Sequence, residues 1–388
     1  MPSDVPSSIQ MIRRLIGFPT VSRDSNLSLI EYVRDYLASL GAESRLTYND
    51  ERSKANLFST LGPRGVPGVM LSGHTDVVPV DGQAWDSDPF ELIEKEGRLY
   101  GRGTSDMKSF VAIALALAPE FVERGLRTPL HFAFSYDEEI GCIGVGRLIA
   151  DLAGTGIKPR SCIVGEPTLM RPVIAHKGKK GFRCLVRGYS CHSAYAPSGV
   201  NAVEAAAEAV AFLKAMARRH RDHGPYDRGF DVAHTTVHTG VIRGGTALNI
   251  VPQECTFDFE FRHLPGDDPD ALLAEFTAFI EKQLTPEMRA IHADTGFSIV
   301  PLSVLPALNN GPEVEVVALA QELSGNNDIG KVSFGTEGSQ FERAGIPTVV
   351  CGPGSIEQAH KPNEYVAIDQ VAKCEQFMRR LMDRMCAR

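Results

Sequence analysis

The chain has 388 residues, 43% of them hydrophobic and 23% charged, with 40 basic against 48 acidic side chains and a formal charge of −8. That length predicts two or three domains with enough buried core to fold without disulfides. The negative balance argues against a nucleic-acid partner, which needs a basic face, and leaves room for a locally positive site that takes an anionic substrate. The N-terminal stretch has no apolar run long enough for a signal peptide. The longest strongly apolar segment, Phe110 to Val122, is too short to span a bilayer and contains Pro119. No membrane partner is expected. The eight cysteines are scattered singly, with no C-x-x-C pair, which predicts reduced thiols and a cytoplasmic location.

In chain order, Ser7 to Leu40 reads as two helices, the second stopped by Gly41 as a C-cap. NLFSTLG and GVMLSGH are short apolar runs of the kind found in buried strands. Ser109 to Arg124 is helical, PLHFAFSYDEE is a strand, and SCIVGEP is another, stopped by Pro167. This alternation predicts an α/β domain, a mixed sheet flanked by helices. GFRCLVRGYS then alternates like a strand, and Asn201 to His220 is an Ala-rich helix. HTTVHTGVIRGG and QECTFDFEFRH are strands, DPDALLAEFTAFIEKQL is a helix and FSIVPLSVLPA a last strand. The order β-α-β-β-α-β is the ferredoxin-like unit, expected at 178–304. A helix from Pro312 to Leu323, strand and loop material, and a helix from Asp369 to Ala387 resume the first pattern. The expected organisation is a first domain over 1–177 and 305–388 with the ferredoxin-like unit inserted in it, since insertion at a surface loop is tolerated.

Histidines and acids stand at the predicted strand ends. LSGHTDVVP holds His74 and Asp76, GRGTSDMK holds Asp106 before a helix, and FSYDEEIG holds Glu138 and Glu139. IVGEPT holds Glu166, and GSIEQAHKP holds His360. Ligands of open α/β sheets gather at the carboxyl ends of strands. Two imidazoles, three carboxylates and a spare acid make a donor set for two divalent ions such as Zn²⁺, Mn²⁺ or Co²⁺, and without clustered cysteines a structural zinc site fits poorly. Glu138 and Glu139 can divide metal binding and base duty, and Asp76 can orient the His74 ring. Taken singly, each residue reads as well as a hydrogen-bonded loop residue.

The strings SGHTDVVPVDGQAWDSDPF, GRGTSDMKS, DEEIG, GEPT and QAHKPNEY together resemble the metal motifs of the co-catalytic zinc aminoacylase and carboxypeptidase family. They occur in that family's order over nearly the whole chain. The resemblance implies a hydrolase of linear amide bonds with two zinc ions per subunit, acting on a small N-acyl amino acid. It implies Asp106 as the carboxylate shared by both metals, His74 and Glu166 on one, Glu139 and His360 on the other. It also implies Glu138 as general base, Asp76 as the acid orienting His74, and the inserted unit as a lid and dimerisation domain. Within YSCHSAYAPSGVNAVE, His192 resembles a lid histidine that serves the partner subunit's site and stabilises the oxyanion. Asn249 and Arg262 resemble substrate-carboxylate contacts. Gly335 and Thr336 open the loop FGTEGSQF, expected to lie against the substrate, where Glu337 can meet a substrate amine or be a solvated acid. The string from Ser333 to Val366 resembles the acetylornithine-cleaving branch of the family more than the desuccinylase branch. A broader acylase, or a relative that binds amino acids without catalysis, is the alternative, though a mere binder has no need of Glu138. Ser105 and Cys351 read as packing or loop residues rather than nucleophiles.

Overall fold

The computed structural model describes residues 5–386. Contacts divide the chain into two units. The first runs to Ala175 and resumes over Leu308–Lys331 and from Thr336 onward; the second comprises His176–Ala307 and Val332–Gly335.

The first unit opens with α1 (Ser8–Ile16) and α2 (Leu27–Ser39). The Ser7 hydroxyl accepts the Gln10 N–H while the Gln10 side chain accepts the Ser7 N–H, a capping box that satisfies two orphan donors. There follow β1 (Glu43–Tyr48), β2 (Ala55–Leu61), β3 (Val69–His74), β4 (Ile93–Lys95), β5 (Arg98–Tyr100), α3 (Lys108–Glu123), β6 (Leu130–Ser135), α4 (Ile143–Ala153), β7 (Ser161–Pro167) and β8 (Val173–His176). The second unit carries β9 (Gly178–Arg187), α5 (Ala202–His223), β10 (Thr236–Gly244), β11 (Glu254–His263), α6 (Pro269–Phe279), α7 (Thr285–Ile291) and β12 (Gly296–Leu305). Then come β13 (Leu308–Asn309), α8 (Glu315–Ser324), β14 (Gly330–Val332), α9 (Gly338–Arg343), β15 (Thr348–Gly352), β16 (Tyr365–Ala367) and α10 (Ile368–Met385). Ala387, the expected end of the last helix, lies outside the described residues.

The large sheet has the order β1-β2-β6-β3-β7-β15-β8-β13, with β14 beside β8. Its centre, β6-β3-β7-β15, is parallel. Every residue of β6, β7 and β15 is buried, as expected of parallel strands covered on both faces. These four strands therefore deliver their carboxyl ends to one edge. Helix α3 lies against them, its apolar residues from Phe110 to Ala118 buried, each large one contributing about 1.5–3 kcal/mol. It passes close because Gly165 has no side chain; a Cβ there would fall 1.9 Å from the Phe110 ring. Pro119 inside α3 cannot donate to the Leu115 carbonyl. The Tyr36 hydroxyl donates to that carbonyl instead, at 3.3 Å.

In the second unit the sheet order is β10-β11-β9-β12, antiparallel throughout. With its helices this is a β-α-β-β-α-β ferredoxin-like unit. Phe257, Phe259 and Phe261 alternate along β11 and bury one face with Phe276, Ala206, Ala209 and Leu213, the two-residue period of a half-covered strand.

Several elements are not anticipated by the sequence pattern, among them β1, β4, β5, α4 and α9. Strand β1 is a half-exposed edge strand with little apolar signal. The pair β4–β5 is only three residues per strand. Helix α4 contains Gly144 and Gly146, each costing about 1 kcal/mol against Ala and weakening the helical pattern. The segment from Gly338, expected as loop and strand, is the helix α9.

Candidate metal centre

The parallel centre of the sheet places the acidic and histidine residues. His74 ends β3 and Glu166 is the next-to-last residue of β7. Glu138 and Glu139 follow β6, Asp106 precedes α3, and His360 lies between β15 and β16 at φ 63°. All stand on the first unit, and their side chains converge.

Asp106 is the hub. Its Oδ1 lies 2.9 Å from His74 Nε2 and its Oδ2 lies 3.3 Å from His360 Nε2. On the His74 side, Glu166 Oε1 is 3.7 Å from the same imidazole nitrogen. On the other, Glu139 Oε2 is 3.0 Å from His360 Nε2. Donor atoms of His74, Asp106 and Glu139 all lie within 4.8 Å of one another, as do those of His74, Glu138 and Glu166. The two sides differ in exposure. The side chains of His74 and Glu166 are 0% and 5% exposed, whereas His360 is 52% exposed, so one side is sealed and the other faces water.

The sequence pattern of peptidase family M20/M25/M40 matches residues 70–384, which span these donors. The chain belongs to that family. Acetylornithine deacetylases of Pasteurella multocida and Myxococcus xanthus are 32% and 35% identical to it, over 98% and 100% of this chain and 99% of each of theirs. The aminopeptidase PepT from Bacillus cereus has a TM-score of 0.75 at 21% identity, covering 97% of both chains. An M20 metallo-carboxypeptidase from Sulfolobus solfataricus has a TM-score of 0.75 at 16% identity, covering 97% of this chain and 98% of its own. These two likenesses concern the fold.

This M20 chain is a metal-dependent hydrolase, and its donors suit a divalent cation. They are imidazoles and carboxylates, packed so tightly that their charges dominate one another. Burial would raise Asp106, but hydrogen bonds from His360 and His74 outweigh it and hold its carboxyl well below the usual range. Burial would lower His74, but Asp106, Glu166 and Glu138 drive it well above the usual imidazole value. Burial raises Glu138, with Glu139 adding repulsion; burial also raises Glu139, with Asp106 adding to it. Carboxylates crowded this closely repel unless cations lie among them.

Three further groups hold these donors. Asp76 was expected to orient the His74 ring through its carboxylate. In the structure, His74 Nδ1 pairs with the Asp76 backbone carbonyl at 2.8 Å, and the carboxylate is 3.7 Å away. The carboxylate instead accepts the Glu138 and Glu139 N–H groups at 3.1 and 3.3 Å and the Ser22 hydroxyl at 2.7 Å. Glu364, missed by sequence reasoning, accepts the N–H groups of Gly103, Ser105 and Asp106 through Oε1 and Arg102 through Oε2. Arg102 also lies over Trp85, 5.1 Å from the ring centroid, and donates to Oε1 of the Gln83 side chain, which the indole N–H shares. Glu337 departs from the expected loop acid. It is fully buried, and the Ser72 and Ser135 hydroxyls each donate to it at 2.6 Å, so it ties β3 to β6 and is no solvated acid.

The expected substrate contacts divide between the units. Thr336 is fully buried in the first, its hydroxyl accepting the Gly338 N–H; contrary to expectation, it offers no surface to a substrate. Gly335 belongs to the second unit, where a Cβ would strike Leu305 at 2.2 Å. His192 is exposed, with Nδ1 accepting the Ala194 N–H, and Ser193 donates to the Asn249 carbonyl, so His192 and Asn249 are neighbours. Arg262, on β11, is paired to Glu260 at 2.8 Å. Ser105 donates to the Ser355 carbonyl. Cys351 is wholly buried, and burial pushes its thiol up to about 12, which leaves no thiolate for nucleophilic attack.

Proposed function

We propose that this M20 hydrolase is an acetylornithine deacetylase, converting N2-acetyl-L-ornithine and water to L-ornithine and acetate, a step of arginine biosynthesis. The observation that carries the chemistry is the pair of donor sets meeting at Asp106 with Glu138 beside them. The substrate assignment is supported by whole-length similarity to acetylornithine deacetylases at 32–35% identity.

In this reading His74, Asp106 and Glu166 hold one zinc ion, and Asp106, Glu139 and His360 the other; cobalt or manganese suits the same donors. When bound, such ions supply Lewis acidity toward the amide carbonyl and make a water easier to deprotonate. Glu138 takes the proton of the attacking water and returns it to the leaving nitrogen. Because His192 Nδ1 accepts a backbone N–H, its neutral ring carries the proton on Nε2, the donor form an oxyanion requires. Arg262 and Asn249 are proposed to bind the substrate carboxylate.

A homodimer through the inserted unit is part of the proposal. Its support is the apolar surface on edge strands β10 and β12, with Ile242, Leu302 and Val304 each about half exposed. The eight cysteines are free thiols, which supports a reducing, cytoplasmic compartment. Among the described residues no helix is long and apolar enough to cross a membrane.

The test is amine release from N2-acetyl-L-ornithine, N-succinyl-diaminopimelate and N-acetyl-methionine by metal-loaded enzyme, with a chelator control. Preference for the first, abolished by chelator, is expected. Preference for either other substrate keeps the hydrolase and reassigns its specificity. Inertness toward all three overturns the acetylornithine reading and leaves an acyl group outside these three or a non-catalytic binder.

A further inference from the structure

Cys142 stands where a side chain is disfavoured. Its φ and ψ are 54° and 41°, the left-handed region that glycine occupies without strain. The residue is 3% exposed, and three contacts fix it. Its N–H donates to the Glu138 carbonyl at 2.7 Å, its carbonyl accepts the Gln340 side-chain amide at 2.8 Å, and its Sγ lies 3.0 Å from Glu138 Oε1. The first two are backbone contacts that glycine would make equally well. Only the third needs the cysteine. Strain at a non-glycine residue points to function when the side chain has a specific partner, and here that partner is the proposed proton carrier.

We propose that Cys142 is a positioning residue whose thiol donates to Glu138 Oε1 and thereby leaves Oε2 as the atom that exchanges the proton with water and leaving nitrogen. The inference rests on the hydrolase reading of Glu138. Burial and the adjacent Glu138 carboxylate keep the thiol protonated, so it serves as a donor and takes no part as a nucleophile. A single bond from one side fixes the carboxylate about its terminal torsion, which is otherwise soft.

The test uses full-length, metal-loaded enzyme and the variants Cys142→Gly, Cys142→Ala and Cys142→Ser. Cys142→Gly removes the strain together with the thiol, so its Tm should rise while kcat falls roughly three- to tenfold, the loss expected for one modest hydrogen bond, with KM unchanged. Cys142→Ala should lose kcat similarly, and Cys142→Ser, whose hydroxyl reaches the same oxygen, should recover most of it. A merely structural cysteine gives no such opposition of stability and rate. Independently of turnover, infrared spectroscopy should show an S–H stretch, absent from Cys142→Ala, that moves to higher frequency in Glu138→Gln. Wild-type kcat in both Cys142→Gly and Cys142→Ala, or an S–H band indifferent to Glu138→Gln, overturns this inference alone. A metal-loaded wild-type enzyme that cleaves no amide bond overturns the proton-carrier role of Glu138 and the positioning role with it.

Discussion

Arg102 and Glu364 form an ion pair of 2.7 Å whose side chains are 1% and 0% exposed. The other Glu364 oxygen gathers the N–H groups of Gly103, Ser105 and Asp106 from the loop that ends in Asp106. A carboxylate so placed stiffens the segment that presents Asp106. Glu364→Ala leaves Arg102 buried without its counter-charge, a loss of about 3–5 kcal/mol. It should also weaken metal binding about ten- to hundredfold, as loss of an outer support does elsewhere. Chemical denaturation and metal titration measure the two effects separately; unchanged metal affinity would show that the loop holds its shape without Glu364.

Asp76 fixes the Glu138–Glu139 pair through their backbone. Asp76→Ala should therefore lower kcat about ten- to hundredfold. Glu138→Gln should abolish turnover with metal content near wild type. The donor atoms of Glu138 lie close to those of His74 and Glu166, so metal analysis of this variant is decisive: loss of metal would make Glu138 a ligand and not the base.

The buried Glu337 joins two strands through Ser72 and Ser135. Glu337→Ala should cost roughly 2–4 kcal/mol in unfolding experiments, from the cavity and two orphaned hydroxyls. The ratio of kcat/KM between acetylornithine and acetylmethionine should stay as in wild type. A changed ratio would return Glu337 to the substrate.

His131 gives a stability term with a defined pH window. Its ring stacks on Phe58 and pairs with the Thr60 hydroxyl oxygen, and burial pushes it down from 6.5 to about 4. The native state keeps the ring neutral, while the unfolded chain binds a proton below pH 6.5. The contribution is complete above pH 6.5 and is lost as pH falls toward 4, about 3 kcal/mol in all. Between pH 7 and pH 5, urea unfolding of wild type should lose about 2 kcal/mol more than that of His131→Gln. Equal losses would mean that the ring is charged in the native protein.

The candidate donors other than His360 were legible because they stand at or just past the ends of buried apolar strands or just before a helix, and such ends share one edge of a parallel sheet; His360, in the loop between β15 and β16, was legible only through the motif QAHKPNEY. The supports were not. Asp76 reaches N–H groups 62 and 63 residues away because β3 and β6 are neighbours, which local pattern does not encode. Glu364 sits in QAHKPNEY, a string that the sequence singles out for His360, and nothing local in it marks a buried carboxylate. Glu337 was misread for the same reason, since an acid between glycines resembles a surface loop. A signal did exist: Ser72 interrupts the apolar run of β3 and Ser135 ends that of β6, and a hydroxyl in a buried strand requires an acceptor. The inserted unit was legible because its strands alternate cleanly, as Phe257, Phe259 and Phe261 do.

The chain has one tryptophan, and it rests against the guanidinium that Glu364 holds. Its indole N–H shares the Gln83 oxygen with that guanidinium. Fluorescence from a protein with a single indole has one source, and here that source abuts the loop bearing Asp106. The molecule thus carries an intrinsic optical gauge of that loop, able to follow its ordering during metal uptake in real time without label or coupled assay.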